Sequence, residues 1–424
     1  MESAQSAGRA FSPLDDELEL LSGALTPSLQ EDLVRLGVWM PFGRAVHELA
    51  HFRGTMVSRP TAERLTEAAG AAYVAQQTAE VVWLEREAPE APAGADKLFL
   101  SVDGAMVPLV GGQWAEVKTM VIGEIEPTTP VVKENAIHTR NHSYFSRLTD
   151  SETFQRLALV ETQRRGVENA GMVAAVTDGS EWIQKFIDHH REDAVRVLDF
   201  PHAAEHINAI GQAHWGEGSA QGQQWLSAQL HQLKHDGPEP VMTEVRRVLV
   251  DHPNHSEMAT HVAYLEKRIP HMQYPTFQAS GWPIGDGAVE SANKLVVEAR
   301  LKGSGMHWAR AHVDPMLALR NIVCSDRWEE AWPQITTQLR KQAKLHRSTR
   351  RQQRRAANLV SATPADDATT ASRSATRGSS STSPASLQPD SKEPWRPAPN
   401  HPWRHMPIGR ARFKQSSPPP DAKT

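Results

Sequence analysis

Apolar residues recur at helical spacing over 28–36, 42–53 and 60–87, with turn signals at Met40-Pro41 and Gly54-Thr55 between them. The stretch REAPEAPAGAD (86–96) sustains neither period and predicts a linker. Beyond it the period shortens. Strands are predicted over 97–102, 116–126 and 129–139, then a helix over 151–168 with Ser151 as its N-cap, a strand over 172–177, a helix over 180–189 and a strand over 195–200. The order β-β-β-α-β-α-β, hairpins first and crossovers later, predicts a mixed sheet. Helical spacing returns over 201–283 and again over 288–299, the latter bracketed by glycines. From residue 348 onward Ser, Thr, Pro, Ala and Arg lack any apolar period, which predicts disorder.

These shifts divide the chain into an N-terminal segment 1–24, a helical region 25–87, the linker 88–96, an α/β core over 97–200, a helical insertion over 201–285, the final helices of the core over 286–340, and a tail over 341–424. Within the first region, PFGRAVHELAHFRGTMVSRPTAERLTEAAG has the rhythm of a helix-turn-helix: an apolar face of Ala45, Leu49 and Phe52, a glycine turn, and a second helix starting near Ser58 with Pro60 in its first turn. That helix would present Arg59, Thr61 and Arg64 to a DNA major groove. An ordinary helical hairpin packed on the next domain fits the same pattern.

A chain of 424 residues exceeds what one core usually organises. Its single cysteine, Cys324, excludes an internal disulfide framework and any multi-cysteine zinc site within these residues. No apolar run approaches the roughly 18 residues a membrane span needs, and the first residues lack a signal-peptide pattern. A cytoplasmic protein with no membrane partner is expected, nucleoid-associated when bound to DNA. The net charge of -4 hides an asymmetry: from Arg340 onward 17 Lys and Arg stand against 5 Asp and Glu, or +12, which leaves -16 for residues 1–339. A basic tail of this kind suits a polyanion, although a merely solubilising tail has the same composition.

Three acids stand where an isolated carboxylate is costly. Asp103 follows LFLSV, Asp178 follows MVAAVT, and Glu290 lies in GAVESANKLVVEARLKG. An acid at the end of a buried strand needs a partner or a metal. The following glycines, Gly104 and Gly179, would let the backbone turn and a ligand approach. Oxygen ligands suit Mg²⁺ or Mn²⁺, and two such ions per site perform in-line phosphoryl displacement. Each Asp-Gly could instead be a routine turn dipeptide. Asn293 and Lys294 share a helical face with Glu290, placing an amide and a cation beside it, suited to a DNA phosphate or to orienting a metal ligand. Lys302 and Arg310 flank Trp308, which could stack on an unpaired base or belong to the core. His202/His206 and His231/His235 have the i,i+4 spacing of a zinc pair, but twenty histidines make such pairs common by chance.

The motifs SVDGAMVP, VTDGSEWIQ, DFPHAAEHI and GAVESANKLVVEARLKGSGMHW resemble the catalytic blocks of the ISKra-type insertion-sequence transposases, DDE enzymes related to the Mutator-like group. The resemblance runs from about Phe11 to Arg340 and returns weakly at HPWRHMPIGRARF. It implies a ribonuclease-H-like mixed sheet with a helical insertion, with Asp103, Asp178 and Glu290 as the triad holding two Mg²⁺ or Mn²⁺ ions. Asp199 and His202 match the acidic-x-x-His element of the Mutator-like relatives, and His202 would move protons near the metals. The implied substrates are double-stranded DNA at the element ends and the target, joined by a homodimer or higher oligomer. The cysteine-rich zinc-binding segment that such members often carry has no counterpart in these 424 residues. A transposase-derived DNA-binding protein that no longer cuts, and a metal-dependent nuclease of the same fold, remain alternatives.

Overall fold

A computed structural model describes residues 25–126 and 137–361. The segment 1–24, most of the strand expected at 129–139 and the tail beyond Ser361 lie outside the described residues. Three helices come first: α1 (Pro27–Trp39), α2 (Phe42–Arg53) and α3 (Arg59–Glu87). Thr26 caps α1 by accepting from the Leu29 amide, and Ser58 caps α3 by accepting from the Thr61 amide. In both helices a proline, Pro27 or Pro60, occupies the first turn, where its missing N–H costs nothing. Gly54 ends α2 in the left-handed conformation at φ 63°.

The sheet has five strands in the order β3-β2-β1-β4-β5, and it is mixed. β1 (Lys97–Pro108), β2 (Trp114–Ile125) and β3 (Thr139–Arg147) pair antiparallel in sequence, while β4 (Met172–Thr177) and β5 (Val195–Leu198) extend the sheet in parallel from β1. The observed third strand lies after the one expected. Its buried positions include Ser143, Ser146 and Arg147, so polar side chains hide the apolar alternation that marks a strand. α4 (Ser151–Arg164) and α5 (Glu181–Arg191) make the crossovers. The cap of α4 is Asp150, whose carboxylate accepts from the Thr153 amide at 2.8 Å, and not Ser151.

Alternation along the strands separates two layers. Leu98, Leu100 and Val102 of β1 share a core with Phe154 and Ala158 of α4 and with Ile183 and Phe186 of α5. Phe99, Ala105, Val107 and Leu109 face the other way, into a core shared with Val176, Val197 and the helices on that side. Each such large side chain contributes about 1.5–3 kcal/mol on burial. The second core is continuous with Leu33, Leu49, Leu65 and Tyr73 of α1–α3, so residues on both sides of 88–96 build one apolar interior. The linker itself is pinned by the Asn169 side chain, which donates to the Ala91 carbonyl, and by Gln163, which donates to that of Pro89.

Residues 200–279 include five α-helices: α6 (Phe200–Trp215), α7 (Ala220–His235), α8 (Pro238–Val250), α9 (Ser256–Glu266) and α10 (Tyr274–Ala279). Then α11 (Gly287–Ala292) runs into a π-helical segment, Asn293–Glu298, and a last turn, Ala299–Leu301. A π segment leaves carbonyls misaligned. Here the buried Arg320 supplies the missing donors, to Val296 at 3.3 Å and to Leu295, while Arg300 donates to the Gly37 carbonyl at 3.0 Å. Arg320 belongs to α12 (Arg310–Cys324), which precedes α13 (Trp328–Ser361). The helix α13 runs well past residue 348, where composition predicts disorder.

Candidate functional site

Strand register alone brings three acids together. Leu100 pairs with Ala175, and Thr177 pairs with Leu198. The paired positions stop there; continued by one to three residues, the registers would give Asp103, Asp178 and Asp199 the same rank on three neighbouring strands, but among the described residues no group of three metal-capable side chains within 4.8 Å includes Asp103, Asp178 or Glu290. Parity puts all three on the side of Phe99, Val176 and Val197, under the helical insertion and α11. β1 does not end at Val102 as expected. It continues to Pro108, so Asp103 is a mid-strand residue, and Gly104 pairs with Lys118 in place of making a turn. A Cβ at Gly104 would sit 2.3 Å from Glu116 Oε1, the end of a half-exposed side chain that can swing aside. Gly179 is the true turn residue, at φ 76°.

The insertion holds these strand ends in place. Tyr264, near the end of α9, donates its hydroxyl to the Asp178 carbonyl. Arg268 donates to the Gly179 carbonyl from Nε at 3.1 Å and Nη2 at 2.6 Å, and the Tyr274 hydroxyl donates to the Leu198 carbonyl at 3.0 Å. The Asp178 side chain accepts from the Ser180 amide at 2.8 Å. His206 stacks on Tyr264 with ring centres 3.7 Å apart and turns its Nδ1 to His261 at 2.8 Å. That orientation takes His206 away from His202. Among the described residues, neither cluster of three metal-capable side chains includes His206, His231 or His235.

Asp199, fully buried, caps α6. Its Oδ2 accepts from the backbone amide and from Nδ1 of His202, both at 3.0 Å, and its Oδ1 accepts from the Asp286 amide at 2.8 Å. Asp286 is also buried, and one ligand atom from each of Asp199, His202 and Asp286 lies within 4.8 Å of the others. The hydrogen bond to Asp199 pushes the His202 pKa up to about 9, against the opposing effect of burial. Burial, reinforced by the charge of Asp199, raises Asp286 well above the carboxylate range. Asp103 is raised as well, by burial first and also by Asp178. Buried Asp103 and Asp286, each beside further carboxylate charge, make an environment a divalent cation would relieve.

The last helical block contributes differently from expectation. Asn293 is buried and donates from Nδ2 to Asp103 Oδ2 at 2.8 Å. Of the two roles expected for it, this contact matches the orienting of an acid and not the contact to a DNA phosphate. Glu290 stands outside, 57% exposed, with Oε2 3.9 Å from Lys294 Nζ. Asp286, in the glycine-rich turn GWPIGDG, is the residue that sequence reasoning misses, because such a stretch reads as punctuation. Trp308 is buried, its Nε1 donating to the Leu301 carbonyl at 3.2 Å and its ring 5.1 Å from the Arg300 guanidinium, so it has no face for a base. Lys302 pairs with Glu298 at 2.6 Å, and Arg310 opens the first turn of α12.

Arg59 lies exposed at the start of α3 with Arg64 one turn further on, and Thr61 spends its amide and hydroxyl on Ser58. The groove between α3 and α12 is lined by Arg64 together with Glu63, Glu67 and His312, with Glu67 2.5 Å from the His312 ring. α3 itself is 29 residues long, burying one face from Ala62 to Leu84 and exposing the other along its length, Val82 and Trp83 included. No helix among the described residues is long and apolar enough to cross a membrane. No family model matches the chain, and no curated protein matches it.

Proposed function

We propose that this chain is a DDE-type DNA transposase with a ribonuclease-H-like core, as its resemblance to the ISKra-type enzymes implies, cutting and joining double-stranded DNA as a homodimer or higher oligomer. The observation that carries the reading is the row Asp103, Asp178 and Asp199 on three adjacent strands, closed from the last helical block by Asp286. The antiparallel β1–β3 followed by parallel β4 and β5, with a helical insertion before the last block, supports the fold assignment.

Supporting a divalent cation at this end of the sheet is the cluster of Asp199, His202 and Asp286, whose ligand atoms lie within 4.8 Å of one another. Asp103, Asp178 and Asp286 would hold Mg²⁺ or Mn²⁺ through carboxylate oxygens, with Glu290 as the exposed acid of the same block. A pair of such ions supplies activation of the attacking oxygen and charge relief at the leaving oxygen. The protein's own groups do the rest. Asn293 fixes one oxygen of Asp103. Tyr264 and Arg268 hold the Asp178–Gly179 turn against displacement. His202 stays cationic beside Asp199 and offsets part of the acidic charge. Lys294 and Glu290, both exposed and 3.9 Å apart, are open to a DNA strand from solvent.

The test is a duplex carrying the inverted repeats that flank the gene, incubated with protein and Mg²⁺. Joined products support a transposase, cut ends alone indicate a nuclease of the same fold, and binding without nicking in Mn²⁺ indicates a silent DNA-binding relative.

A further inference from the structure

The helix α13 leaves the core before it ends. Among the described residues, its last deeply buried side chains are Ile335 and Thr336. From Lys344 to Gln353 every position is exposed, so nearly three turns of helix stand clear of the core. A helix that is polar all round needs a network of i,i+4 ion pairs to stand alone. This stretch cannot form one within itself, because residues 341–361 contain seven Lys and Arg and no Asp or Glu.

The cations are also ordered along the rod. At about 100° per residue, Lys344, Arg347 and Arg351 fall on one stripe, with Lys341 and Arg350 on its flanks. Like charges three and four residues apart destabilise an isolated helix. An extended polyanion removes that penalty. The stretch 341–353 is about 20 Å long, enough to follow several phosphates of a strand spaced roughly 3.4 Å apart along the duplex. Leu345 is the one large apolar residue in it, so it offers no apolar face for insertion into a lipid surface.

We infer that the projecting part of α13 is a sequence-independent arm that binds the phosphate backbone of double-stranded DNA. Residues 1–339 carry -16, so the arm begins the region whose charge draws a duplex to an otherwise acidic molecule. It is an electrostatic anchor, distinct from the carboxylate cluster and independent of whether that cluster cuts DNA.

The test uses the full chain and a fluorescent 30-base-pair duplex of arbitrary sequence, with affinity measured by anisotropy from about 50 to 300 mM salt. The variant replaces Lys344, Arg347, Arg350 and Arg351 by Gln; all four are exposed, and an unchanged melting temperature verifies folding. Four lost phosphate contacts at about 0.9 each reduce the slope of log K against log salt by roughly 3–4, with at least a tenfold loss of affinity near 100 mM. An unchanged slope and affinity overturn the inference. So does wild-type binding to anionic phospholipid vesicles that equals duplex binding and is lost in the variant, which would assign the arm to a membrane surface. Asp103→Asn keeps the wild-type slope, so a failure of DNA cleavage and a failure of the arm are read separately.

Discussion

Asn293 donates a hydrogen bond to Asp103 at 2.8 Å across 190 residues of sequence, tying the π-helical segment after α11 to the middle of β1. The bond explains why a buried amide stands in that segment. It restrains one carboxylate oxygen of Asp103. Asn293→Ala leaves Asp103 oriented by its backbone alone and is expected to weaken Mn²⁺ binding about 10–100-fold, the usual effect of losing a partner of a metal ligand. Titration of Mn²⁺ by calorimetry measures it, and an unchanged affinity would remove Asn293 from the site.

Asp286 and Glu290 compete for the place of third acid, one by burial and the other by motif. Saturating Mn²⁺ should raise the melting temperature of the wild type, since a ligand at about 100 times its Kd stabilises by about 2.7 kcal/mol. Asp286→Asn is expected to lose most of that shift. Glu290→Gln losing it instead, with Asp286→Asn retaining it, would return the role to the exposed residue.

The same acid sets a pH dependence. Asp286 and Asp103 have folded-state pKa values above the ordinary carboxylate value, so the folded chain holds their protons to higher pH than the unfolded chain does. The metal-free protein therefore loses stability from these groups as pH rises from about 4 toward neutrality. In Asp286→Asn that decline is shallower. Thermal melts in chelator across this range give the comparison, and a decline as steep as the wild type's would put the titration elsewhere.

His190 acts in the opposite direction. Burial and the neighbouring His189 push its pKa down to about 3, with its Nε2 donating to the Gln155 carbonyl at 2.9 Å. The unfolded chain takes up a proton near pH 6.5 that the folded chain refuses, so stability is full above that value and falls as pH drops from about 6.5 toward 3. His190→Gln should flatten this acid limb in urea melts; an identical limb would mean that other groups set it.

Periodicity makes most elements visible in the sequence: α2, α3, β1, β2, β4 and β5 lie within a few residues of where their apolar spacing puts them, apart from the longer C-terminal half of β1. That half is hidden because Asp103-Gly104 reads as a turn, whereas Gly104 pairs with Lys118 inside the ladder. β3 is hidden by its buried serines and Arg147. In the site, Asp103, Asp178, Asp199 and His202 can be named from motifs and strand ends. Asp286 cannot, because its burial comes from the packing of a glycine-rich turn against Asp199, a long-range contact that leaves no local period. The exposed helix 344–353 is concealed for a related reason: its stripe is one of charge, and apolar periodicity is blind to it. Trp308 shows the converse, since a tryptophan among basic residues has the same local signature whether it waits for a base or fills a core.

The reading of this chain as a strand-transfer enzyme turns on the neighbouring aspartates of β1 and of the turn after β4. The most direct measurement is strand cleavage and joining of a duplex bearing the flanking inverted repeats, with Mg²⁺, comparing wild type with Asp103→Asn and Asp178→Asn. Loss of cation-held charge stabilisation worth several kcal/mol predicts a fall of at least about 10³-fold in both variants, with DNA binding retained. Cleavage by either variant at the wild-type rate would contradict the account.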